Sequence, residues 1–179
     1  MKLQRLSKII SAALRHEPEK YCIVLDNEGW GNVNTLLLNI AMNHAEYSGI
    51  VYSDLVSAIN ISGKKRHELD GQRIRALYGH TTNVGIKRTK IEPPIFLYHG
   101  TCNDNFDKIK IEGLKKMNRL HVHLSSDVAQ AIRVAGRKTA NPLILTISAR
   151  DASYNGIEFY KEGIVWLCDS IPANFIIVE

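Results

Sequence analysis

The sequence has no hydrophobic run long enough to cross a membrane, and it has few cysteines. No stretch approaches the ~20 consecutive apolar residues of a membrane-spanning helix, and charges interrupt the apolar part of the N-terminal segment, unlike in a signal peptide. The three cysteines, Cys22, Cys102 and Cys168, are odd in number and far apart, which argues against a disulfide framework and for a reducing compartment. We therefore expect a soluble, cytoplasmic protein with no membrane partner.

Common phosphate-binding and catalytic motifs are missing as well. Gly-x-Gly-x-x-Gly does not follow the first strand predicted in the second half, and Gly-x-x-x-x-Gly-Lys-Ser/Thr does not occur, so neither a Rossmann nor a P-loop site is supported. Paired carboxylates with catalytic spacing are not evident. A zinc site on His99, Cys102, His121 and His123 would need a closely spaced ligand pair for its fourth donor, which is lacking, so we expect no metal.

The overall amino-acid composition is that of a globular protein with more basic than acidic residues. The 179 residues are 45% hydrophobic and 23% charged, which suffices for the core of one domain or of a compact pair. The net charge of +5 favours an anionic partner. The first 92 residues hold 13 Lys and Arg against 9 Asp and Glu, whereas the remainder holds 10 against 9, so most of the surplus lies in the first half.

Two prolines at the end of a basic segment predict a domain boundary. Pro93 and Pro94 continue neither a helix nor a central strand, so we expect a first domain at 1–88 and a second at 93–179. The first is predicted to contain a helix from Leu3 to Leu14, a helix over 35–42 capped by Asn32 or Asn34, a helix over 54–59 capped by Ser53, and a hairpin over 66–78 turning at Asp70-Gly71. This order is typical of a winged helix-turn-helix, which serves nucleic-acid binding and also protein contacts.

The second half alternates short strands and helices and is predicted to be mixed α+β. The strands are expected at 94–99, 121–125, 143–147, 163–168 and 175–178, and the helices at 105–112 and 127–135. Gly113 is expected to end the first of these helices.

Several cations of the first half are candidates for phosphate binding. Arg15 and His16 end the first helix, where they either offset the helix dipole or capture a phosphate. Three consecutive cations at 64–66 form either a solvated turn or a phosphate patch. Arg73 and Arg75 have strand spacing, so they should lie on one face of the hairpin.

In the second half, the first predicted strand ends in His99-Gly100-Thr101. This segment brings the imidazole of His99, the backbone of Gly100 without a side chain and the hydroxyl of Thr101 to one edge of a sheet. Glycine there permits the close approach of a flat or diphosphate ligand, although a plain strand-to-loop turn has the same pattern.

Together these segments resemble the RNA 2′-phosphotransferase family, the NAD-dependent enzymes that remove a splice-junction 2′-phosphate from tRNA. The resemblance runs in order over essentially the whole chain, in nine segments. They are Leu6-Ser-Lys8, Leu14-Arg-His-Glu-Pro18, Leu25-Asp26 with Gly29-Trp30, Lys64-Lys-Arg66, Ile74-Arg-Ala76 with Gly79-His80-Thr81, Leu97-Tyr-His-Gly-Thr101, Arg119 with His121-Val-His-Leu-Ser125, Gly136-Arg137, and Val165-Trp-Leu167.

The resemblance implies an α+β protein with two functional lobes. Residues 1–88 would form a winged-helix lobe that binds RNA, and residues 93–179 an ADP-ribosyltransferase-like, mixed α/β lobe that binds NAD as a co-substrate. The implied catalytic residues are Arg15, His16, Arg66 and Arg119. The implied RNA-binding residues are Lys64, Lys65, Arg75, His80 and Thr81, and the implied NAD-binding residues are His99, Gly100, Thr101, His123, Ser125, Gly136 and Arg137. A monomer that uses no metal is expected.

The implied reaction has two steps. The 2′-phosphate, largely a dianion at neutral pH, attacks C1″ of the nicotinamide ribose and expels nicotinamide. The 2″-hydroxyl then attacks phosphorus, which leaves 2′-hydroxyl RNA and ADP-ribose 1″,2″-cyclic phosphate. Two alternatives stay open: an ADP-ribosyltransferase for other phosphorylated nucleic acids or proteins, and a winged-helix regulator that senses NAD.

Three positions depart from the family pattern. His67 stands where phenylalanine usually follows the arginine, Thr81 replaces the serine of Gly-His-Ser, and the segment at 161–166 lacks Asn-Gly-Val-Trp. Mono-ADP-ribosyltransferases that modify hydroxyls or side chains commonly have a glutamate in the last strand of a triad. The corresponding residues here would be His99, His123 and Val165, with no carboxylate at the third position.

Overall fold

The computed structural model describes residues 2–61, 63, 65–81, 86 and 88–177. The chain divides into two compact units, Met1–Lys87 and Arg88–Glu179. Both contain helices and antiparallel strands, which agrees with the α+β class predicted from the sequence. Within the described ranges, no helix has the length and apolar character needed to cross a membrane.

The first unit consists of three helices and a small sheet. The helices are α1 (Lys2–Arg15), α2 (Val33–Asn43) and α3 (Tyr52–Asn60), and the strands are β1 (Gly31–Asn32), β2 (His67–Asp70) and β3 (Arg73–Ala76). Two 3₁₀ turns, Glu19–Tyr21 and Ala45–Tyr47, follow α1 and α2. The strands pair antiparallel in the order β1-β3-β2. The core of the unit lies among the three helices and the inner face of this sheet.

The predicted helices of this unit are present. On α1, Leu6, Ile10 and Leu14 recur at a spacing of four and are at most 1% exposed, as expected for one buried face. Helix α2 begins at Asn32, whose Oδ1 accepts a hydrogen bond from Thr35 N at 3.0 Å. Of the two predicted caps, Asn32 is therefore the correct one.

The predicted cap of α3 is wrong. Ser53 lies inside the first turn, and the helix begins one residue before it, with Val51 as the capping position. The carboxylate of Asp54 accepts a hydrogen bond from Val51 N at 3.0 Å. The carboxylate of Asp54, in the first turn, thus accepts the hydrogen bond at the helix start that the sequence analysis assigned to the Ser53 hydroxyl.

The predicted hairpin is present as β2 and β3. Its register pairs Asp70 with Arg73 next to the turn and His67 with Ala76 at the open end. Gly71 in the turn has a φ of 56°, a conformation that glycine adopts without steric cost.

The second unit is built on a six-stranded antiparallel sheet. Its elements are β4 (Phe96–Thr101), α4 (Phe106–Glu112), β5 (Leu114–Lys115), β6 (Val122–Ser125), α5 (Val128–Ala135), β7 (Leu143–Ser148), α6 (Ala149–Tyr154), β8 (Tyr160–Glu162), β9 (Val165–Cys168), β10 (Ser170–Ile171) and β11 (Ile176–Ile177). The sheet has the order β11-β7-β4-β6-β9-β8, and β5 pairs separately with β10. The central strands thus hold the segments that end in Thr101 and Ser125.

Two helix ends of this unit follow their sequence signals. Gly113 ends α4 with a φ of 75°, and the Oδ1 atom of Asp127 caps α5 by accepting from Gln130 N at 2.7 Å. Helix α6 and strand β8 were not predicted, because six and three residues are too few to show a clear period. Val178, the last residue of the predicted final strand, lies outside the described residues.

Candidate functional site

In the first unit, Arg15 and His16 meet the segment that follows β3. The carbonyl oxygen of Arg15 accepts hydrogen bonds from the backbone N–H of Thr81 at 3.0 Å and from its Oγ1 at 3.3 Å. The Nδ1 atom of His16 lies 3.1 Å from the same hydroxyl oxygen. Because the single hydroxyl proton goes to the carbonyl, Oγ1 accepts from Nδ1–H. In this tautomer the ring proton of His16 lies on Nδ1, and the side chain as a whole is exposed.

The guanidinium of Arg15 extends toward the start of β2. Its Nη2 donates to the carbonyl oxygen of Arg66 at 3.4 Å, and its Cζ lies 5.1 Å from the centre of the Tyr78 ring. The Arg66 carbonyl also accepts from Leu77 N at 3.0 Å. The fold therefore brings Arg15, His16 and Arg66 together, although they are up to 51 residues apart.

A buried histidine lies next to this cationic group. His67 is 6% exposed, and its Nε2 is 3.2 Å from Ser11 Oγ. The pKa of His67 is lowered to about 3, chiefly by burial and in addition by the nearby charges of Arg15, Arg66 and His80. His67 is therefore neutral at physiological pH, and the positive charge beside it is carried by Arg15 and Arg66, whose guanidinium groups suit a phosphate monoester.

The other cations predicted for RNA binding differ in their surroundings. Arg73 and Arg75 both lie over the ring of Trp30, at 4.9 and 4.4 Å from its centre, so they share a face of the hairpin as predicted. Arg75 is also paired with Glu68 at 2.7 Å, so its charge is largely balanced. Lys65 is exposed, and Lys64 lies outside the described residues.

In the second unit, His99 lies where β4 and β6 stop pairing regularly. Tyr98 pairs with Ser125, and beyond this pair the His99 Nδ1–H donates to the carbonyl oxygen of His123 at 3.0 Å. Burial lowers the pKa of His99, and the nearby charge of Arg119 lowers it further, although the hydrogen bond to His123 opposes them. His99 is therefore neutral, with Nε2 left as an acceptor for a ligand hydroxyl.

Arg119 is tied to the same group of residues through the His123 ring. Its Nη1 donates to Nδ1 of His123 at 2.6 Å. Residues 99, 119 and 123, predicted from two different segments, are thus connected by two hydrogen bonds.

The structure corrects the reason given for glycine at position 100. A Cβ atom at Gly100 would lie 2.6 Å from both the carbonyl oxygen of Ala131 and the Cβ of Ala135 on α5. The space beside Gly100 is therefore filled by this helix, and glycine is needed for the packing of α5 against β4 rather than to leave room for a ligand.

The remaining residues predicted for NAD binding lie around the same strands and helix. Thr101 and Ser125 are 8% and 7% exposed on β4 and β6. Gly136 and Arg137 are exposed and directly follow α5. No three His, Cys, Asp or Glu side chains of the described part of the chain are grouped as metal ligands.

Comparison with known proteins identifies the family of this chain. The family model described as "RNA 2'-phosphotransferase, Tpt1 / KptA family" matches residues 1–170. The chain belongs to the RNA 2′-phosphotransferase family.

Individual relatives span almost the same length. A probable RNA 2′-phosphotransferase of Bacillus thuringiensis subsp. konkukian is 42% identical over 175 residues, which cover 97% of this chain and 94% of the relative. Proteins described in the same words are 40% identical over 176 residues in Acetivibrio thermocellus, covering 98% and 96%, and in Escherichia coli O8, covering 95% and 92%.

For this member of the RNA 2′-phosphotransferase family, the structure adds two residues that the sequence analysis missed. Ser11 bonds to His67, and Tyr78 packs under the guanidinium of Arg15. A signal existed for Ser11, because residues four apart on a helix share a face and Ser11 precedes Arg15 by four. Tyr78 had no comparable signal in the sequence.

Proposed function

We propose that this protein is an NAD-dependent RNA 2′-phosphotransferase that removes an internal 2′-phosphate from RNA. The phosphate would be transferred to ADP-ribose, with release of nicotinamide, 2′-hydroxyl RNA and ADP-ribose 1″,2″-cyclic phosphate. A tRNA splice junction is the proposed source of the substrate. We further propose that the protein acts as a monomer in the cytoplasm.

One observation carries the proposal: within the first unit the Arg15 guanidinium reaches the backbone of Arg66, and Thr81 joins Arg15 to His16. Two guanidinium groups and an imidazole nitrogen suit the dianionic oxygens of a phosphate monoester. Their arrangement is supported by Thr81, which binds the Arg15 carbonyl and the His16 ring. Family membership supplies the second support, because the matching relatives are described as probable RNA 2′-phosphotransferases.

We assign RNA binding to the first unit. Its order of elements, α1-β1-α2-α3-β2-β3, is that of a winged helix, which supports this assignment. The exposed Lys65 and Thr81 would contact RNA near the phosphate, whereas His80 is 1% exposed and would support this surface from the interior. Arg75 is assigned a structural part in this lobe, since Glu68 and Trp30 already engage its guanidinium.

We assign NAD binding to the second unit, as an ADP-ribosyltransferase-like lobe. The residues fit a dinucleotide, because His99 Nε2 can accept a hydrogen bond from a ribose hydroxyl and Arg119 can bind a diphosphate or phosphoryl oxygen. Thr101, His123, Ser125, Gly136 and Arg137 are proposed to complete the contacts. NAD would supply an electrophilic ribose carbon with nicotinamide as the leaving group.

The residues of this chain would contribute unequally to the two steps. The first step needs little general-base catalysis, because a 2′-phosphate is already ionised at neutral pH. In the second step negative charge grows on the phosphoryl oxygens, and the proposed catalytic arginines would act by stabilising it. Histidine is the one residue type in the catalytic set suited to proton transfer at neutral pH, so His16 Nε2 is assigned the proton transfer to the departing RNA oxygen.

The test is incubation of the protein with NAD and an RNA oligonucleotide that carries one internal 2′-phosphate. We expect one nicotinamide and one ADP-ribose cyclic phosphate for each 2′-hydroxyl RNA produced, with no NAD consumed when the same oligonucleotide lacks the phosphate. Transfer of ADP-ribose to other phosphorylated polymers alone would favour a broader ADP-ribosyltransferase. Tight duplex DNA binding without turnover would favour an NAD-sensing regulator, and no change in NAD or RNA with protein in excess would refute the proposal.

A further inference from the structure

A side-chain hydrogen bond between Ser11 and His67 connects the two elements that carry the cationic residues of the first unit. Helix α1 ends in Arg15 and leads into His16, and β2 begins directly after Arg66. Between these elements, Nε2 of His67 lies 3.2 Å from Oγ of Ser11, across 56 residues of sequence. The bond is shielded from solvent on the β2 side, because His67 is 6% exposed.

Each end of this bond is adjacent to a proposed phosphate ligand. Ser11 precedes Arg15 by one helical turn on the same face of α1, and His67 directly follows Arg66. A contact between Arg15 Nη2 and the Arg66 carbonyl also joins these elements, but at 3.4 Å it is long for a hydrogen bond. Of these two contacts, the Ser11–His67 bond at 3.2 Å is the shorter.

His67 is not the residue that stability alone would favour. Its Nδ1 is buried and makes no hydrogen bond within the described residues, and an unpaired buried polar atom costs about 1–3 kcal/mol. Phenylalanine at this position would have no ring nitrogen to leave unpaired. Phenylalanine cannot bond to Ser11, so the link depends on histidine at position 67.

We propose that Ser11 and His67 are positioning residues, which set the separation of Arg15 and His16 from Arg66 for transfer of the phosphoryl group. The proposal rests on the function proposed above. Neither residue touches the phosphate. Burial and the surrounding cations keep the His67 ring neutral, so it contributes geometry and hydrogen bonding but no positive charge.

The test compares Ser11→Ala, His67→Phe, the double variant and His67→Gln in single-turnover reactions with 2′-phosphorylated RNA and NAD. The two single variants should each slow consumption of the ADP-ribosylated RNA by ~10-fold, since small displacements of catalytic groups are costly. The double variant should be no slower than the slower single variant, because both remove the same bond. The amide of Gln can still donate to Ser11, so His67→Gln should restore most of the rate.

The KM for NAD and the circular dichroism of each variant separate positioning from folding. Both should stay at the wild-type value, because the bond lies in the first unit and the variants remove it without changing the NAD-binding residues of the second. Wild-type rates in folded Ser11→Ala and His67→Phe, or losses that multiply in the double variant, would overturn the positioning proposal alone. Should His67→Phe fail to fold, Ser11→Ala alone decides the question by its rate. An inactive wild-type protein would overturn the proposed function and this inference together.

Discussion

Arg119 donates a hydrogen bond to the ring of His123, with Nη1 2.6 Å from Nδ1. Because arginine has no acceptor atom, Nδ1 of His123 must be unprotonated and Nε2 must carry the ring proton. The carbonyl oxygen of the same histidine accepts from His99. His123 therefore orients a proposed catalytic arginine through its side chain and a proposed NAD ligand through its backbone.

This relationship predicts the behaviour of Arg119→Ala. The variant should form ADP-ribosylated RNA 2′-phosphate and then accumulate it, because the second step depends more on neutralising phosphoryl charge. The second step should slow by ~10²–10³-fold, the typical loss for one electrostatic contact in a transition state. A rapid-quench time course measures it, with Arg133→Ala on the exposed side of α5 as the charge-matched control. A block before nicotinamide release, with no intermediate seen, would show that Arg119 acts in the first step instead.

The contact between Thr81 and His16 predicts a second difference. Thr81→Val removes the hydroxyl that accepts from His16 Nδ1, so His16 loses its fixed tautomer. We expect the second step to slow by about 10-fold, equivalent to one hydrogen bond. Thr81→Ser keeps the hydroxyl and should retain the wild-type rate within about twofold. Equal rates in the Val and Ser variants would contradict the assignment of His16 to proton transfer through a fixed tautomer.

The packing of Gly100 predicts a loss of stability rather than of ligand space. In Gly100→Ala the new Cβ would meet the Ala131 carbonyl at 2.6 Å, and such overpacking lowers the free energy of unfolding by about 1–3 kcal/mol. Gly49→Ala is the control, because a Cβ there has no heavy atom within 4 Å. Urea denaturation measures the free energy, and calorimetry measures NAD affinity. Unchanged stability with a large loss of NAD affinity would restore the ligand-space explanation.

The buried His67 predicts a loss of stability in mild acid. Its pKa is about 3 in the folded protein and near 6.5 in an unfolded chain, so between these values only the unfolded chain gains the proton. Stability is complete above pH 6.5 and falls as the pH decreases, by ~2–3 kcal/mol at pH 4.5. His67→Phe should lack this component, so wild type should lose more unfolding free energy than the variant between pH 7 and 4.5. Parallel losses in both proteins would show that other groups cause the acid sensitivity.

The amino-acid sequence determined most of the local structure, because local structure follows from local periodicity and turn chemistry. Apolar residues at helical spacing predicted α1, and Gly71 predicted the hairpin turn. The cap of α3 could not be predicted with the same rule, since Ser53 and Asp54 both suit a helix start. The choice between them depends on where the preceding backbone enters the helix.

The ordered motifs of the sequence also indicated the family, and with it the candidate residues. They did not reveal how those residues are held. The bonds of Ser11 to His67 and of Arg119 to His123 depend on backbone positions that only the packed units define. The sequence explained Gly100 by ligand access, whereas the structure places Ala131 of α5 next to where a Cβ atom would lie. Sequence patterns did not reveal this contact, because Ala131 is 31 residues away. The residue types and their order determined which chemical groups the protein has. Tertiary packing decided which of these groups are in contact, because contacts between distant segments form only when the chain folds.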